Sequence, residues 1–254
     1  MKLTIKEIGD ITGGQAVGDP SALVTGVSID SRSIDKNQLF VPIKAKRNGH
    51  DFVSDAIRNG ATGHLFSEGK AQGNAVKVND TLIALQDLAK FERKRITGDV
   101  IGITGSVGKT TTKDILFASL RNLTEVHVSK LSFNNELGLP LTILSAGSST
   151  KHLILEMGAR GPGQIAELAK IATPTIGIVT RVASAHTEFF QDIDQIAETK
   201  GALVELLPSS GTAILNNDDP RVAEMSKRTN AEIVTYGLED ATVTARKISI
   251  NNDL

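Results

Sequence analysis

The sequence predicts an α/β protein, with a small N-terminal α/β domain followed by a doubly wound domain built on a mostly parallel sheet. From residue 98 to residue 236, short apolar segments alternate with stretches of helical periodicity, which is typical of parallel sheets. At the start of that region, a strand pattern at 100–104 leads into a glycine-rich turn and then a helical run. Residues 1–97 show the same alternation of strand-like and helical segments over a shorter length. We therefore expect two domains, 1–97 and 98–254.

The elements of the N-terminal region follow from local patterns. Ile5, Ile8 and Ile11 predict a short helix that ends at Gly13-Gly14. β-branched and aromatic residues predict strands at 23–29 and 39–43. Two further helices are predicted, one ending at Asn59-Gly60 and one running to about Arg95.

The second region is predicted from its alternating apolar pattern. Strands are expected at 100–104, 125–129, 152–157, 175–180 and 212–216, and helices at 109–121, 163–171 and 193–207. A last helix–strand pair runs to Tyr236. The tail at 241–250 alternates with period two, and we expect a strand there that has no partner strand after it.

Composition excludes several classes of function. The net charge of −1 provides no basic surface for nucleic acid or anionic lipid. The absence of cysteine rules out disulfides and thiolate metal sites. No apolar segment of membrane-spanning length and no signal-peptide pattern are present. We expect a monomeric cytoplasmic protein that binds no nucleic acid and does not insert into a membrane.

The segment Gly105-Ser106-Val107-Gly108-Lys109-Thr110-Thr111 has the pattern of a phosphate-binding loop. Such a loop presents backbone N–H groups and a helix N-terminus to phosphates, and a lysine reaches the outer phosphates. The hydroxyl of Thr110 would bind Mg²⁺. A plain glycine-rich turn before a helix is the alternative. The strand before the loop and the helix after it favour a nucleoside triphosphate site.

Other polar residues lie where strands are predicted to end. Glu156 ends an apolar strand, where a magnesium ligand belongs in this architecture, although a solvent-facing or helix-capping glutamate is an equal alternative. His186 also follows an apolar strand, and an ordinary histidine is its alternative. Asn216 and Asp219 follow the strand at 212–216 and either cap the next helix or lie beside a nucleotide.

Two candidates are less strongly marked. Lys200 lies in a helical stretch, where a solvated charge is the usual interpretation. Asn134 and Asn135 lie in a turn-rich loop suited to hydrogen bonding with a polar substrate.

Taken in order, these motifs resemble the Mur ligase family of amide-bond-forming ATPases. Asp30-Ser31-Arg32, Leu39-Phe40-Val41 and Gly49-His50-Asp51-Phe52 resemble its N-terminal, UDP-binding domain. The glycine loop resembles the family's short phosphate loop. The segments 132–142 and 156–163 resemble the member that adds D-alanyl-D-alanine.

The resemblance implies roles for single residues. It gives Lys109 a catalytic role at the ATP phosphates. It assigns Thr110, Glu156 and His186 to Mg²⁺, and it makes His186 a catalytic residue as well. It makes Lys200 the lysine that the family carbamylates, and therefore a catalytic and metal-binding residue. The remaining implied contacts are Asn216 and Asp219 with ATP, and Ser31, Arg32, Asn134 and Asn135 with the UDP-linked substrate.

The implied reaction joins D-Ala-D-Ala to UDP-N-acetylmuramoyl-tripeptide through an acyl phosphate, with ATP and Mg²⁺. Arg181 and Ala202 depart from the family pattern, which usually has Asn and Glu there. The family also has a third, C-terminal domain, for which this sequence has no residues, and we expect the 254 residues alone to bind substrate without ligating it. The alternatives are a ligase for another amino acid and a non-catalytic nucleotide- or UDP-sugar-binding protein.

Overall fold

A computed structural model describes residues 1–130, 133–184 and 189–246. Its strands are β1 (Leu3–Thr4), β2 (Gln15–Val17), β3 (Leu23–Val24), β4 (Val27–Ser28), β5 (Leu39–Phe40), β6 (Gly63–Phe66), β7 (Ala75–Lys77), β8 (Asp99–Thr104), β9 (Val126–Val128), β10 (His152–Glu156), β11 (Ile176–Val179), β12 (Thr212–Asn216), β13 (Glu232–Gly237) and β14 (Val243–Thr244). Its α-helices are α1 (Ile5–Thr12), α2 (Val53–Arg58), α3 (Thr81–Arg95), α4 (Lys109–Leu120), α5 (Gly138–Ser145), α6 (Gln164–Ala172), α7 (Ile193–Glu205) and α8 (Pro220–Glu224), with 3₁₀ turns at Gly49–Phe52 and Met225–Arg228.

The chain forms two compact units. The first consists of Met1–Thr97 together with Glu136–Thr150, and the second contains Gly98–Asn135 and the chain from Lys151 onward. Gly98 is thus the first residue of the second unit, close to the predicted joint at residues 96–98. The segment that carries α5 groups with the first unit, which the predicted division at residue 98 does not include.

The first unit is built on a five-stranded sheet with the order β2-β7-β6-β5-β4. Its β2–β7 pair is antiparallel and the other pairs are parallel. Phe40 and Val53 are among the buried side chains that pack the sheet against α2. Helix α3 packs against α5, and its N-cap is Asp80, whose carboxylate accepts hydrogen bonds from the backbone N–H groups of Leu82 and Ile83.

In the first unit, one predicted strand is divided into two and one helix was not predicted. The strand predicted at 23–29 is two strands in different sheets, because β3 pairs with β1 and β4 pairs with β5. Thr25 lies between them and donates its backbone N–H to the carbonyl of Asn37. Helix α5 was missed, since Gly138 and Pro140 read as turn residues. Proline is tolerated in the first turn of a helix, where its missing N–H costs no hydrogen bond.

The second unit has a seven-stranded sheet with the order β14-β13-β12-β11-β8-β10-β9, in which every described pair is parallel. The predicted α/β fold with a doubly wound sheet is confirmed. Strand β8 lies between β10 and β11, so the chain leaves it toward one side of the sheet and later crosses to the other. Such a switch point opens a crevice at the carboxyl ends of the strands, where ligands bind.

The tail was expected to be a strand at 241–250 with no partner strand after it. In the structure, β14 pairs with β13, with Tyr236 opposite Val243. Residues 247–250 of the predicted strand lie outside the described residues.

Candidate functional site

The loop between β8 and α4 has the geometry of a phosphate cradle. Gly105 adopts φ +151°, and a methyl group there would collide with the hydroxyl of Thr180. Helix α4 begins after Gly108, and no side chain caps it. Because its first N–H groups have no capping side chain, the helix N-terminus presents donors and a partial positive charge to an anion.

Residues after β11 fasten this loop to the sheet. Thr180 Oγ1 donates to the carbonyl of Val107 at 2.6 Å. The backbone N–H of Ser106 donates to the carbonyl of Arg181 at 2.7 Å, and the Ser106 hydroxyl donates to the carbonyl of Ala183 at 2.9 Å. Arg181 therefore serves the loop through its main chain while its side chain is exposed, which explains how an arginine is accommodated there.

Lys109 lies half-buried across the loop. Its Nζ donates to the carbonyl of Gly105 at 2.7 Å and to that of Ser106 at 3.5 Å. Burial lowers the pKa of Lys109, and the negative charge of Glu156 opposes that shift. The ammonium thus lies within the electrostatic reach of the Glu156 carboxylate.

Thr110 and Glu156 are in direct contact. Thr110 Oγ1 donates to Glu156 Oε2 at 2.9 Å, although the two residues are 46 apart in sequence. Asn134 Nδ2 donates to the other carboxylate oxygen, Oε1, at 2.8 Å. The alternative of a solvent-facing glutamate is excluded, because Glu156 is only 2% exposed.

Lys200 is buried in the second unit, at 5% exposure, and is not the solvated charge that its helical pattern indicated. Burial and, to a smaller extent, the positive charge of Lys109 lower its pKa to about 8. Lys109 and Lys200 therefore share one electrostatic environment, although 91 positions separate them in the sequence.

Asn216 and Asp219 have clear structural partners. Asn216 Nδ2 donates to the carbonyl of Thr180 at 2.8 Å. Asp219 is the N-cap of α8, where it accepts the backbone N–H of Arg221 and of Val222, and its second oxygen accepts the N–H of Val182 at 2.8 Å. The capping interpretation of Asp219 is thus confirmed. Contact of either residue with a nucleotide stays a prediction.

The remaining predicted residues of this unit are distributed around the loop. Val107, at its tip, and Thr111, in the first turn of α4, are exposed, as is Asn135. His186 lies outside the described residues.

In the first unit, Ser31 and Arg32 line a cavity of about 520 Å³. Ser31 is buried, and its carbonyl accepts a hydrogen bond from Asn59 Nδ2. Arg32 forms a two-point contact with Asp30, at 2.9 Å through Nε and 2.6 Å through Nη2. These hydrogen bonds lower the pKa of Asp30 to about 2. The charge of Arg32 is therefore already balanced within the protein.

Arg47 also lines this cavity and was missed in the sequence. Among the ion pairs of the described residues, none includes Arg47. The sequence feature that could have identified Arg47 is its position just before Gly49-His50-Asp51-Phe52, a segment that resembles the UDP-binding domain. Arg47 is thus a cation of the cavity that forms no ion pair within the part of the chain that the structure describes.

The donor set around Glu156 fits a magnesium ion bound together with nucleotide phosphates. Within the described residues there is no cluster of three or more His, Cys, Asp or Glu side chains that could hold a metal. Mg²⁺ in nucleotide sites needs no such cluster, since it takes one or two protein oxygens and completes its shell with phosphates and water. Thr110 and Glu156 supply a hydroxyl and a carboxylate beside the loop.

No helix in the described part of the chain is long and apolar enough to cross a bilayer.

Comparison with known proteins gives matches over both units. Residues 103–253 match the Mur ligase middle domain, and residues 23–93 match the Mur ligase family catalytic domain. A Synechocystis protein named UDP-N-acetylmuramoyl-tripeptide–D-alanyl-D-alanine ligase is 39% identical over 226 residues, covering 87% of this chain and 50% of that protein. A Bacillus subtilis protein of the same name is 35% identical over 245 residues, covering 93% of this chain and 53% of its own.

Solved structures of MurF ligases also match this chain. The Thermotoga maritima MurF ligase in complex with ADP superposes with a TM-score of 0.78 and 34% identity, over 86% of this chain and 51% of that one. A crystal structure of MurF from Acinetobacter baumannii gives a TM-score of 0.90 and 27% identity, over 98% of this chain and 56% of that one. The chain thus spans about half the length of the relatives it matches. With the middle-domain model covering more than half of its residues, the chain belongs to the Mur ligase family.

Proposed function

We propose that this chain forms the UDP-substrate-binding and ATP-binding parts of a ligase that joins D-Ala-D-Ala to UDP-N-acetylmuramoyl-tripeptide in the cytoplasm. The contact of Thr110 with Glu156 beside Lys109 carries the proposal, because it brings the residues for a magnesium–nucleotide site together at the switch point of the sheet. The named relatives and the ADP complex of a MurF ligase support it.

In the proposed reaction, the γ-phosphoryl group of ATP passes to the terminal carboxylate of the tripeptide, which gives ADP and an acyl phosphate. The amine of D-Ala-D-Ala then attacks the acyl carbon, the amide bond forms, and inorganic phosphate leaves with a proton released from the amine. Mg²⁺ would supply charge neutralisation at the phosphates, held by Thr110 and Glu156.

The protein's own groups act by position and charge. The glycine loop and the uncapped start of α4 bind the phosphates through backbone N–H groups. Lys109 places an ammonium beside the transferring group, where it offsets developing negative charge. The cavity around Ser31 and Arg47 would bind the uridine diphosphate end of the substrate.

The binding half of the proposal is tested by titrating the 254-residue chain with ATP in the presence of magnesium. We expect Lys109→Ala to lose ATP affinity by at least about tenfold, because a charge-assisted contact contributes about 1.5–3 kcal/mol. Lys170→Ala, which removes an exposed lysine of the same unit, is the matched control. Unchanged ATP affinity in Lys109→Ala with an unchanged melting curve would remove the phosphate-loop assignment.

The catalytic half is tested on the 254-residue chain supplemented with a separately made C-terminal domain from a full-length relative. We expect ADP release that requires both UDP-N-acetylmuramoyl-tripeptide and D-Ala-D-Ala. Release supported by a single amino acid in place of D-Ala-D-Ala would favour a ligase of different specificity. Binding of ATP and of the UDP-linked peptide without any ADP release would favour a non-catalytic nucleotide- or UDP-sugar-binding protein.

We also propose that Lys200 carries a carbamate and, with His186, contributes to the metal site. Carbamylation needs a neutral amine, and the burial of Lys200 favours that form. The carbamate would replace a buried cation near Lys109 by an anion, which relieves the repulsion between the two lysines. A carbon-13 carbamate signal after incubation with labelled bicarbonate, absent in Lys200→Met, tests this. An identical spectrum for both proteins rejects it.

A further inference from the structure

Glu156 is held by one donor on each carboxylate oxygen. Thr110 donates to Oε2 at 2.9 Å, and Asn134 donates to Oε1 at 2.8 Å. The main chain of Glu156 is fixed as well, because its N–H donates to Ser129 Oγ at 3.4 Å and it ends a strand paired on both sides. The buried carboxylate therefore has a defined orientation.

The position of Asn134 is fixed in turn by its contacts with Gly158. Its carbonyl accepts the backbone N–H of Gly158 at 2.8 Å. A methyl group at position 158 would lie 2.9 Å from Cγ of Asn134 and 3.0 Å from its amide nitrogen and oxygen, so that the amide would have to shift. Only glycine at 158 leaves room for the amide to reach Glu156.

The chemistry of the contact matters. An amide fixes a carboxylate without cancelling its charge, whereas an arginine or lysine in the same place would neutralise it. A neutral donor on Oε1 leaves the negative charge of Glu156 available to a cation on the Oε2 side, next to the phosphate loop. Removing a group that orients a metal ligand in this way typically lowers metal affinity by about 10- to 100-fold.

We propose that Asn134 is a positioning residue that orients Glu156 toward the cation bound with ATP, and that Gly158 is glycine in order to admit the Asn134 amide. This inference rests on the proposed function and changes the role of Asn134, which the sequence assigned to the UDP-linked substrate. If Asn134 contacts the substrate, removal of its amide should weaken binding of the UDP-linked peptide. If Asn134 positions Glu156, the removal should weaken binding of the cation.

The test measures two affinities for the 254-residue chain and its variants. Mn²⁺ binding in the presence of a non-hydrolysable ATP analogue is followed by electron paramagnetic resonance, and UDP-N-acetylmuramoyl-tripeptide binding by calorimetry. Asn134→Ala deletes the amide, and Gly158→Ala displaces it while leaving it in the chain. Gly161→Ala is the control, because a methyl group there meets nothing within 4 Å.

We expect both Asn134→Ala and Gly158→Ala to weaken Mn²⁺ binding by about 10-fold or more, with affinity for the UDP-linked peptide changed less than about twofold. Gly161→Ala should match the parent chain in both. Unchanged Mn²⁺ affinity in Asn134→Ala, or a loss confined to the UDP-linked peptide, overturns the inference whether or not Gly158→Ala folds. If the parent chain binds no metal–nucleotide complex at all, the proposed function fails instead.

Discussion

The buried ammonium of Lys200 makes the stability of the second unit depend on pH. Its pKa is about 8 in the folded chain, against 10.5 for a free lysine. Between these values the unfolded chain binds a proton that the folded chain does not, so the free energy of unfolding rises as the pH rises through this window.

We therefore expect Lys200→Met to be more stable than the parent chain at pH 7, by up to about 3 kcal/mol, and to lose most of that advantage near pH 10. Urea unfolding of both proteins at pH 7 and pH 10, in buffers free of carbon dioxide, measures the difference. An advantage that is equal at the two pH values would show that Lys200 does not titrate in this range.

Arg47 is the second residue whose role is set by its neighbours. Arg32 is paired with Asp30, whereas Arg47 has no ion pair among the described residues. We expect Arg47→Ala to reduce affinity for uridine diphosphate by about tenfold or more, and Arg32→Ala to have the smaller effect, because a paired guanidinium has less charge to offer. Calorimetric titration of the two variants compares them, and a larger loss in Arg32→Ala would reverse the assignment.

At the scale of elements, the ends of α3 and α8 allow a direct comparison. Asp80 caps α3 through two backbone N–H groups. Asp219 caps α8 in the same way and also accepts the N–H of Val182, which lies 37 residues away. Asp219 thus joins the start of α8 to the segment that follows β11.

We expect Asp80→Ala to lower the free energy of unfolding by about 1 kcal/mol, as the loss of an N-cap does. Asp219→Ala should cost more, about 2–3 kcal/mol, because it also leaves the buried N–H of Val182 without its acceptor. Denaturant titrations of both variants check the order. Equal costs would mean that the contact with Val182 contributes little.

At the scale of the whole molecule, the two compact units each contain one of the proposed binding sites. The cavity around Ser31 belongs to the first unit, and the phosphate loop belongs to the second. A ligand that binds only the folded state suppresses local opening around its site.

Hydrogen exchange should therefore separate the two ligands. Uridine diphosphate should slow exchange in peptides that cover residues 29–55, and ADP with magnesium should slow it in peptides that cover 105–112. Mass spectrometry of the chain with each ligand alone, and with neither, gives the result. Protection of 105–112 by uridine diphosphate with no effect on 29–55 would contradict this assignment of the sites.

The sequence by itself determined the α/β class, the order of most elements of the second unit and the glycine turn between β8 and α4. Each of these is local: alternation of apolar residues specifies strand or helix, and the glycines between 105 and 108 specify a turn from strand to helix. The same locality explains the errors. Leu23–Ser28 has one continuous strand pattern, and only the pairing of β3 with β1 and of β4 with β5 divides it.

The tertiary structure decided which polar residues meet. Asn134 reaches Glu156 across 22 positions, Thr110 reaches it across 46, and Val182 reaches Asp219 across 37. These contacts depend on the order of strands in the sheet, which brings the ends of β8 and β10 side by side. Burial of Lys200 is decided in the same way, because the helical pattern fixes its face but not what packs over that face. A residue's partners across the sheet are set by long-range packing, and no pattern within one segment encodes them.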